Sequence, residues 1–298
     1  MTTNHAEDID TFLAAYDEQL RGDAEASSAT DVERCGPLYL ITLAGGRGLV
    51  TYRPFTTTHD ELAALVCSAV DYFRAVPGLT SVEWKTRGHD IMPGLYKSLL
   101  HNGFRDGGTE SIMIGRPELL LAEDTAPSGV TLRRITSAAD VRATRAMVDS
   151  VFGARGEPSE ASVQQELARL HDGTGRQVWV AEADIDYVTS DNVAQHIVGS
   201  GRLEPVSGTD FAGIWGGAVV PEWRHRGIYR ALTAARAGAA LEQGKTLIQS
   251  DSTEYSRPIL ERSGLIKVST TTPYRLAVID LRSVGCVVAQ PVHARMNG

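Results

Sequence analysis

Apolar residues recur with helical spacing in some stretches of the chain and form short runs in others. Over residues 9–20 they lie at i, i+3, i+4, i+7 and i+11, which predicts an amphipathic helix. Further helices are predicted over 62–73, with Asp60 as the cap, and over 93–103, 137–152, 161–170, 227–242 and 258–263. Short apolar runs bounded by turn residues predict strands over 38–43, 49–55, 81–85, 111–114, 130–135, 178–183, 197–203, 214–220, 247–249, 266–271 and 274–279.

The predicted elements fall into two blocks separated by the polar segment 117–128, which we interpret as a linker. The polar stretch 25–31 is predicted as a loop within the first block. The end of the first block reads β-β-α-β-α-β, and so does the end of the second. We therefore predict an internal duplication into two α/β units, each a mixed sheet with helices on its faces.

Composition narrows the classes of partner. The chain has 298 residues, 42% of them hydrophobic, and a formal net charge of −8, so we expect a globular protein that binds neither nucleic acid nor anionic membrane. No apolar run approaches the roughly 20 residues that span a bilayer. The acidic start of the chain lacks a signal-peptide pattern, and we expect a cytoplasmic protein. The three cysteines have no metal-ligand spacing, and no metal site is predicted.

One local cluster of positive charge stands out in this acidic chain. A predicted strand ends at Val220, a short loop follows, and a helix begins near Gly227. Arg224, Arg226 and Arg230 surround that helix start, where backbone N–H groups lack intrahelical partners and the helix dipole is positive. This arrangement favours a phosphate or pyrophosphate ligand. The alternative is a solvated, arginine-rich helix start without a ligand.

The sequence of this loop resembles motif A of the GNAT acetyltransferase superfamily, which reads Arg/Gln-x-x-Gly-x-Gly/Ala. Residues 224–229 match it at Arg224 and Gly227, whereas Tyr229 replaces the last small residue. A larger side chain at that position can point away from the phosphates and still leave its amide available.

A second motif lies farther along the chain. Residues 259–265 resemble the family's Leu-Tyr-Glu-x-x-Gly-Phe signature, with Leu260 in the place of the tyrosine. The resemblance covers about residues 130–279.

The first block carries only part of this resemblance. Residues 99–104 match the Gly-Phe end of the second motif. The loop at 53–60 has neither a glycine nor a basic cluster, and Asp60 would repel phosphate. The resemblance thus implies an α/β (α+β) fold of two GNAT-like units, each a mixed, mostly antiparallel, splayed sheet flanked by helices. The expected domains are a degenerate unit without a cofactor site at 1–118, an acetyltransferase domain at 129–281 and a tail at 282–298.

The resemblance also implies a reaction. GNAT enzymes use acetyl-CoA as co-substrate and transfer its acetyl group directly to an amine, here expected to be a primary amine of a small molecule or peptide. The pantetheine arm would lie along residues 218–220, next to a bulge at Gly216 and Gly217, and an N–H near Val219 would stabilise the oxyanion. The expected cofactor-binding residues are Ala218, Val219, Val220, Arg224, His225, Arg226, Gly227, Ile228, Tyr229 and Arg230.

Two roles in proton transfer have candidate residues. Glu204 is the candidate base that deprotonates the amine, with Glu182 and Asp210 as further possibilities, although most carboxylates of this kind are solvated surface groups. Tyr255 is the candidate acid for the CoA thiolate, because Leu260 takes the place of the family's tyrosine; packing is the alternative role for Tyr255.

Three interpretations of the function stay open. The first is an N-acetyltransferase, acting as a monomer or homodimer. The second is a non-catalytic acyl-CoA-binding or interaction module with the same fold. The third is an unrelated phosphate-binding protein that uses the same helix start; the sequence lacks the Gly-Lys-Ser/Thr ending of a Walker loop.

Overall fold

The computed structural model describes residues 3–121, 126–153, 158–184 and 197–277, and the predicted tail at 282–298 lies outside them. Eight helices occur in these ranges: α1 (Thr3–Gln19), α2 (His59–Ala75), α3 (Leu95–His101), α4 (Pro117–Leu120), α5 (Ala138–Phe152), α6 (Glu160–Leu170), α7 (Ile228–Glu242) and α8 (Arg257–Arg262). Among the residues described, no helix has both the length and the apolar character needed to cross a bilayer.

Twelve strands accompany the helices in the described ranges. They are β1 (Ala29–Cys35), β2 (Leu38–Leu43), β3 (Arg47–Tyr52), β4 (Ser81–Arg87), β5 (Arg105–Asp106), β6 (Glu110–Gly115), β7 (Val130–Arg134), β8 (Gln177–Ala183), β9 (Ile197–Pro205), β10 (Phe211–Val219), β11 (Leu247–Ser252) and β12 (Ile266–Ala277).

The predictions differ from these elements in identifiable places. Strand β1 begins within the loop predicted at 25–31. The sequence did not indicate a strand there, because β1 is an edge strand whose polar side chains are nearly all exposed and show no apolar pattern. Two strands were predicted around Pro273, but β12 runs through it. Asp60 is not the cap of α2: the Thr58 side chain accepts the hydrogen bond from Glu61 N–H, and the Glu61 side chain accepts one from Thr58 N–H.

The C-terminal unit comprises Ser111–Val268 together with the chain up to Phe12. Its strands lie in the order β6-β11-β10-β9-β8-β7, where β10 and β11 are parallel and the other pairs are antiparallel. Helix α7 packs on β8, β9 and β10, while α5 packs on β9 and β10. The expected mixed, mostly antiparallel sheet is confirmed for this unit.

The N-terminal unit comprises Leu13–Glu110 and the chain from Ser269 onward. Its strands lie in the order β1-β2-β3-β4-β12, with β5 paired to β12, and only β3 and β4 are parallel. Trp84, Phe73 and Leu99 are fully buried at the centre of its core. This sheet is again mixed and mostly antiparallel, as expected.

The boundaries of the two structural units do not coincide with those of the two sequence blocks. Strand β6 belongs to the first sequence block, yet it pairs with β11 in the C-terminal unit. The second half of β12 comes from the last block, yet it pairs with β4 in the N-terminal unit. Each block thus contributes its final strand to the other unit. Apolar runs give no information about the partner of a strand, and the repeat boundaries at 118 and 129 stay a prediction.

A buried ionic network fills the space where β3 and β4 separate. The two strands pair only over Arg47–Val50 and Ser81–Trp84. Beyond that point, Arg21 donates from Nε to the Tyr52 carbonyl at 3.1 Å, and Arg87 donates to both Glu25 and Thr51. The side chains of both arginines are fully buried. The gap between these strands is therefore closed by the unit's own side chains.

The Glu25 carboxylate makes the stability of this unit depend on pH. Burial alone would raise the pKa of Glu25, but Arg87 and Lys85 outweigh it and hold the pKa below its ordinary value of 4.5. The ionised form therefore stabilises the fold above about pH 4.5, and this contribution is lost as the pH falls through the lower pKa of the folded state.

We expect Glu25→Gln to lower the free energy of unfolding at pH 7 by about 3 kcal/mol, because it leaves the buried Arg87 without its carboxylate. The difference from the wild type should shrink as the pH falls below about 4.5, towards the lowered pKa of Glu25 in the folded state. Urea unfolding across this pH range measures both effects. Glu33→Gln, on the exposed edge strand β1, removes the same charge and should change little; equal effects of the two variants would contradict the prediction.

Candidate functional site

Strands β10 and β11 separate after a short parallel contact. Their pairing covers only Phe211–Gly213 and Leu247–Gln249, after which β10 continues to Val219 and β11 to Ser252. Each keeps its other neighbour, because β10 pairs with β9 as far as Val219 and β11 pairs with β6 as far as Ser252. The gap between residues 214–219 of β10 and 250–252 of β11 is called the wedge below. The expected splayed sheet is thus present in this unit.

A bulge bends β10 along one wall of the wedge. The pairing with β9 jumps from Trp215–Arg202 to Ala218–Ser200, so Gly216 and Gly217 together face a single residue. Gly216 has a φ of +59°, a backbone angle that residues other than glycine rarely adopt. The bulge predicted at these two glycines is confirmed.

The open end of the wedge leads into a tight turn before α7. Residues 221–227, called the arginine turn below, contain a short 3₁₀ segment and two left-handed residues, His225 with φ +62° and Gly227 with φ +87°. His225 is the one non-glycine residue with positive φ among the residues described. Gly227 caps α7 without a side-chain hydrogen bond, and the first turn of α7 has no acidic residue. Such a start presents N–H groups and a positive dipole to an anion.

Helix α2 occupies the equivalent place after β3 in the N-terminal unit, and its start has the opposite chemistry. Thr58 and Glu61 cap each other reciprocally, so donors of the first turn are already satisfied. Asp60 and Glu61 add negative charge at the positive end of the helix dipole. This helix start is therefore unsuited to bind phosphate, in agreement with the sequence of its loop.

Arg224 and Arg226, near the turn, hold contacts within the protein. Arg224 donates from Nε to the Val219 carbonyl at 3.1 Å, which covers the last acceptor of β10. The Arg226 guanidinium lies 4.6 Å from the centre of the Trp223 ring. Arg224, Arg226 and Arg230 are all exposed, so their long side chains can reach a ligand at the surface.

Tyr229 belongs to the first turn of α7, and its side chain extends across the wedge. A Cβ atom on Gly217 would lie 2.5 Å from Cε2 of Tyr229, so the ring rests directly on the backbone of the bulge. The Ser256 hydroxyl, at the start of α8, lies close enough to the tyrosine side chain to affect its pKa. Burial raises the pKa of the Tyr229 phenol, with smaller opposing effects from Arg236 and Ser256.

The structure does not bring the two proposed catalytic residues together. Glu204 lies on β9 opposite Gly213, at the closed end of the wedge, where Arg176 and Arg202 pair with it at 3.5 Å and 3.3 Å. Tyr255 lies in a turn after β11, and its side chain is 82% exposed. Their catalytic roles stay predictions.

The residue that sequence reasoning overlooked is Arg236. Its guanidinium is buried, and it donates to the carbonyls of Leu232, Arg202 and Trp215 and to the Thr233 hydroxyl. Gly201 makes room for it, since a Cβ there would lie 2.6 Å from the arginine Nη1. Burial lowers the pKa of Arg236 to about 10. The sequence held one signal for this buried arginine: a basic residue beside the alanine stripe of α7, seven positions after Tyr229.

Sequence and structure comparisons give different results for this chain. No protein-family model matches the sequence, and no curated protein matches it. The fold is similar to a GCN5-related N-acetyltransferase from Sphaerobacter thermophilus, with a TM-score of 0.58, 17% identity and coverage of 81% of this chain and 77% of that one. A GCN5-related N-acetyltransferase from Kribbella flavida has a TM-score of 0.57, 15% identity and coverage of 92% and 96%.

A third similar structure contains two repeats. It is a tandem GNAT protein from the clavulanic acid biosynthesis pathway, with a TM-score of 0.53, 15% identity and coverage of 81% of this chain and 78% of that one. Identities this low establish the fold alone. Together with the two mixed sheets and the duplicated element order, these similarities show that the chain has the GNAT fold in its tandem form.

Proposed function

We propose that the C-terminal unit is an N-acetyltransferase that binds acetyl-CoA and transfers its acetyl group to a primary amine of a small molecule or peptide. The observation that carries this proposal is the wedge, whose open end leads directly into the arginine turn. A ligand with an extended amide arm and a diphosphate matches both parts at once. The acetyltransferases of similar fold support the same class of reaction.

The free edge of β10 would receive the pantetheine arm. Amides of an extended chain can pair, as an added strand does, with those backbone groups of Ala218, Val219 and Val220 that face the wedge. The Val220 N–H is not one of them, because it donates to the Val198 carbonyl at 3.0 Å. The diphosphate would lie against the arginine turn and the first residues of α7. The residues in contact would be His225, Arg226, Gly227, Ile228, Tyr229 and Arg230, together with Arg224.

Arg224 would couple the two halves of this site. Its hydrogen bond to the Val219 carbonyl is exposed and has a neutral acceptor. A phosphate carries a full negative charge and can accept two parallel bonds from one guanidinium, so it binds this side chain more strongly than a carbonyl does. Binding of the donor would therefore draw Arg224 to the diphosphate and release the Val219 carbonyl for the pantetheine arm.

The chemistry of the transfer needs little beyond positioning. A neutral amine attacks the thioester carbonyl, and a backbone N–H near Val219 would stabilise the oxyanion, an effect typically worth about 3 kcal/mol. An alkylamine with a pKa near 10 must first lose a proton, for which Glu204 is the candidate base. Its two arginine partners would have to yield before it could act.

A second candidate function is an acyl-CoA-binding module without turnover. Leu260 is fully buried where the family motif has a tyrosine, and Tyr255 points into solvent. Both observations favour a site that binds the donor and lacks the usual proton donor. Binding experiments cannot separate the two functions, whereas release of CoA can.

We expect wild-type protein to bind acetyl-CoA with micromolar affinity, and Arg224→Ala/Arg226→Ala to weaken binding more than tenfold. The reason is the loss of two charge-assisted contacts to the diphosphate. Isothermal titration calorimetry measures both constants. Arg142→Ala/Arg145→Ala removes the same charge from exposed positions on α5 and serves as the matched control, with binding expected to stay within twofold. Similar losses in both double variants would show that the arginine turn is not the diphosphate site.

We further expect the wild type to release free CoA from acetyl-CoA when a suitable primary amine is present. A thiol assay with polyamines, aminoglycosides, amino acids and peptide N-termini tests this expectation. The Arg224→Ala/Arg226→Ala variant provides the background rate at the same protein concentration. Donor binding without CoA release across the whole panel would favour the binding module over the enzyme.

A further inference from the structure

The phenol of Tyr229 joins the two walls of the wedge. Its ring lies on the backbone of Gly217, at the bulge of β10. The Ser256 hydroxyl, at the start of α8 and four residues beyond the end of β11, lies close enough to the phenol to affect its pKa. The ring also packs against the apolar core of the C-terminal unit, which includes Leu260. The phenol is therefore held between the bulge of β10 and the start of α8.

A buried positive charge lies on the same face of α7. Arg236 follows Tyr229 by seven residues, and Thr233 lies between them, donating its hydroxyl proton to the Tyr229 carbonyl at 2.8 Å and accepting from Arg236 Nη2 at 3.1 Å. Among the described residues, the acceptors bound to the Arg236 guanidinium are neutral carbonyl and hydroxyl oxygens.

Such a charge is costly to keep. Burying a guanidinium without a carboxylate destabilises a fold by several kcal/mol unless the charge interacts with something else. The electrostatic interaction between Arg236 and the Tyr229 side chain favours the ionised phenol. Arg236 is therefore placed to stabilise negative charge that forms on the tyrosine oxygen or on a ligand atom beside it.

We propose that Tyr229 is the proton donor to the sulfur of CoA, and that Arg236 stabilises the phenolate this transfer leaves. The proposal rests on the proposed function and assigns a catalytic residue within the same site. It gives the wedge a proton donor although Leu260 has no acidic proton and Tyr255 is exposed to solvent.

The proposed step balances as follows in atoms and charge. The amine nitrogen forms a bond to the carbonyl carbon, and the C–S bond breaks with its electron pair going to sulfur. The phenol O–H of Tyr229 transfers its proton to that sulfur, which yields the free thiol and a phenolate beside Arg236. The proton that the nitrogen loses passes to solvent, and a proton from solvent restores the phenol.

The raised pKa of the Tyr229 phenol suits this role. A group that donates a proton must hold it until the thiolate forms, and burial keeps this phenol protonated at neutral pH. Arg236 limits the cost of the phenolate once the proton has left, because it is an unscreened charge in the same buried environment. Both effects follow from the placement of the pair beneath the bulge.

Binding of CoA and of desulfo-CoA, which lacks the sulfur, tests this proposal without knowledge of the acceptor. At about pH 9 a large part of a free thiol is ionised, and a phenol within reach of the sulfur donates a charge-assisted hydrogen bond to it. We expect Tyr229→Phe to weaken binding of CoA about tenfold and to leave binding of desulfo-CoA within twofold. Calorimetry at this pH measures all four constants.

Tyr96→Phe is the matched control, since it removes the same hydroxyl from an exposed position on α3 in the N-terminal unit and should affect neither ligand. Ser256→Ala leaves the phenol in place and removes the neighbouring hydroxyl, and we expect a smaller loss that is again confined to CoA. Equal losses for CoA and desulfo-CoA in Tyr229→Phe, or no loss for either, would overturn the proposal. Failure of the wild type to bind either ligand would instead refute the proposed function.

Discussion

No strand among the residues that the structure describes lies along the edge of β10 that faces the wedge, and the chemistry of the whole site depends on how the backbone groups of this edge are satisfied. Polar backbone atoms rarely stay without partners in a folded protein. Two side chains supply partners here: Ser250 donates to the Ile214 carbonyl and Arg224 to the Val219 carbonyl, at 3.0 and 3.1 Å. A parallel strand would have filled the edge permanently. Side chains cover individual carbonyls of this edge and can be displaced. The exposed Arg224 side chain on the Val219 carbonyl is the easiest to displace.

In the N-terminal unit, the corresponding gap between two strands is closed by side chains. Its strands β3 and β4 also part after a few residue pairs, yet Arg21 covers the Tyr52 carbonyl and Arg87 forms a buried pair with Glu25. These groups are deeply buried and ionic, so opening them would expose an unpaired charge at a cost of several kcal/mol. The helix start beside this gap is capped by Thr58 and Glu61. A shared topology therefore does not imply a shared site, because the side chains at the split decide whether a ligand can enter.

Local signals explain what the sequence could predict. Helices α5 and α7 and most strands follow from apolar periodicity, and Gly216 and Gly217 indicate a bulge because few other residues tolerate that backbone. Two kinds of feature left no local signal. The pairing of β6 with β11 and of β12 with β4 joins segments more than 100 residues apart, and strand sequences do not name their partners. The burial of Arg236 depends on Gly201, which lies on a different strand.

The replacement of a small residue by Tyr229 is intelligible only together with its neighbours. Gly217 has no Cβ, and the space this leaves on the bulge is taken by the tyrosine ring. The ring in turn reaches Ser256 and lies within the electrostatic influence of Arg236. A tyrosine tolerated merely as a surface substitution would need none of these accommodations. Three separate elements adapt to one phenol, at the point where the resemblance to motif A is weakest and where Leu260 leaves the second motif without its acidic proton. Tyr229 packs against the core cluster that contains Leu260, so the two departures from the motifs share one apolar core, and a hydroxyl is gained at one position where it is missing at the other.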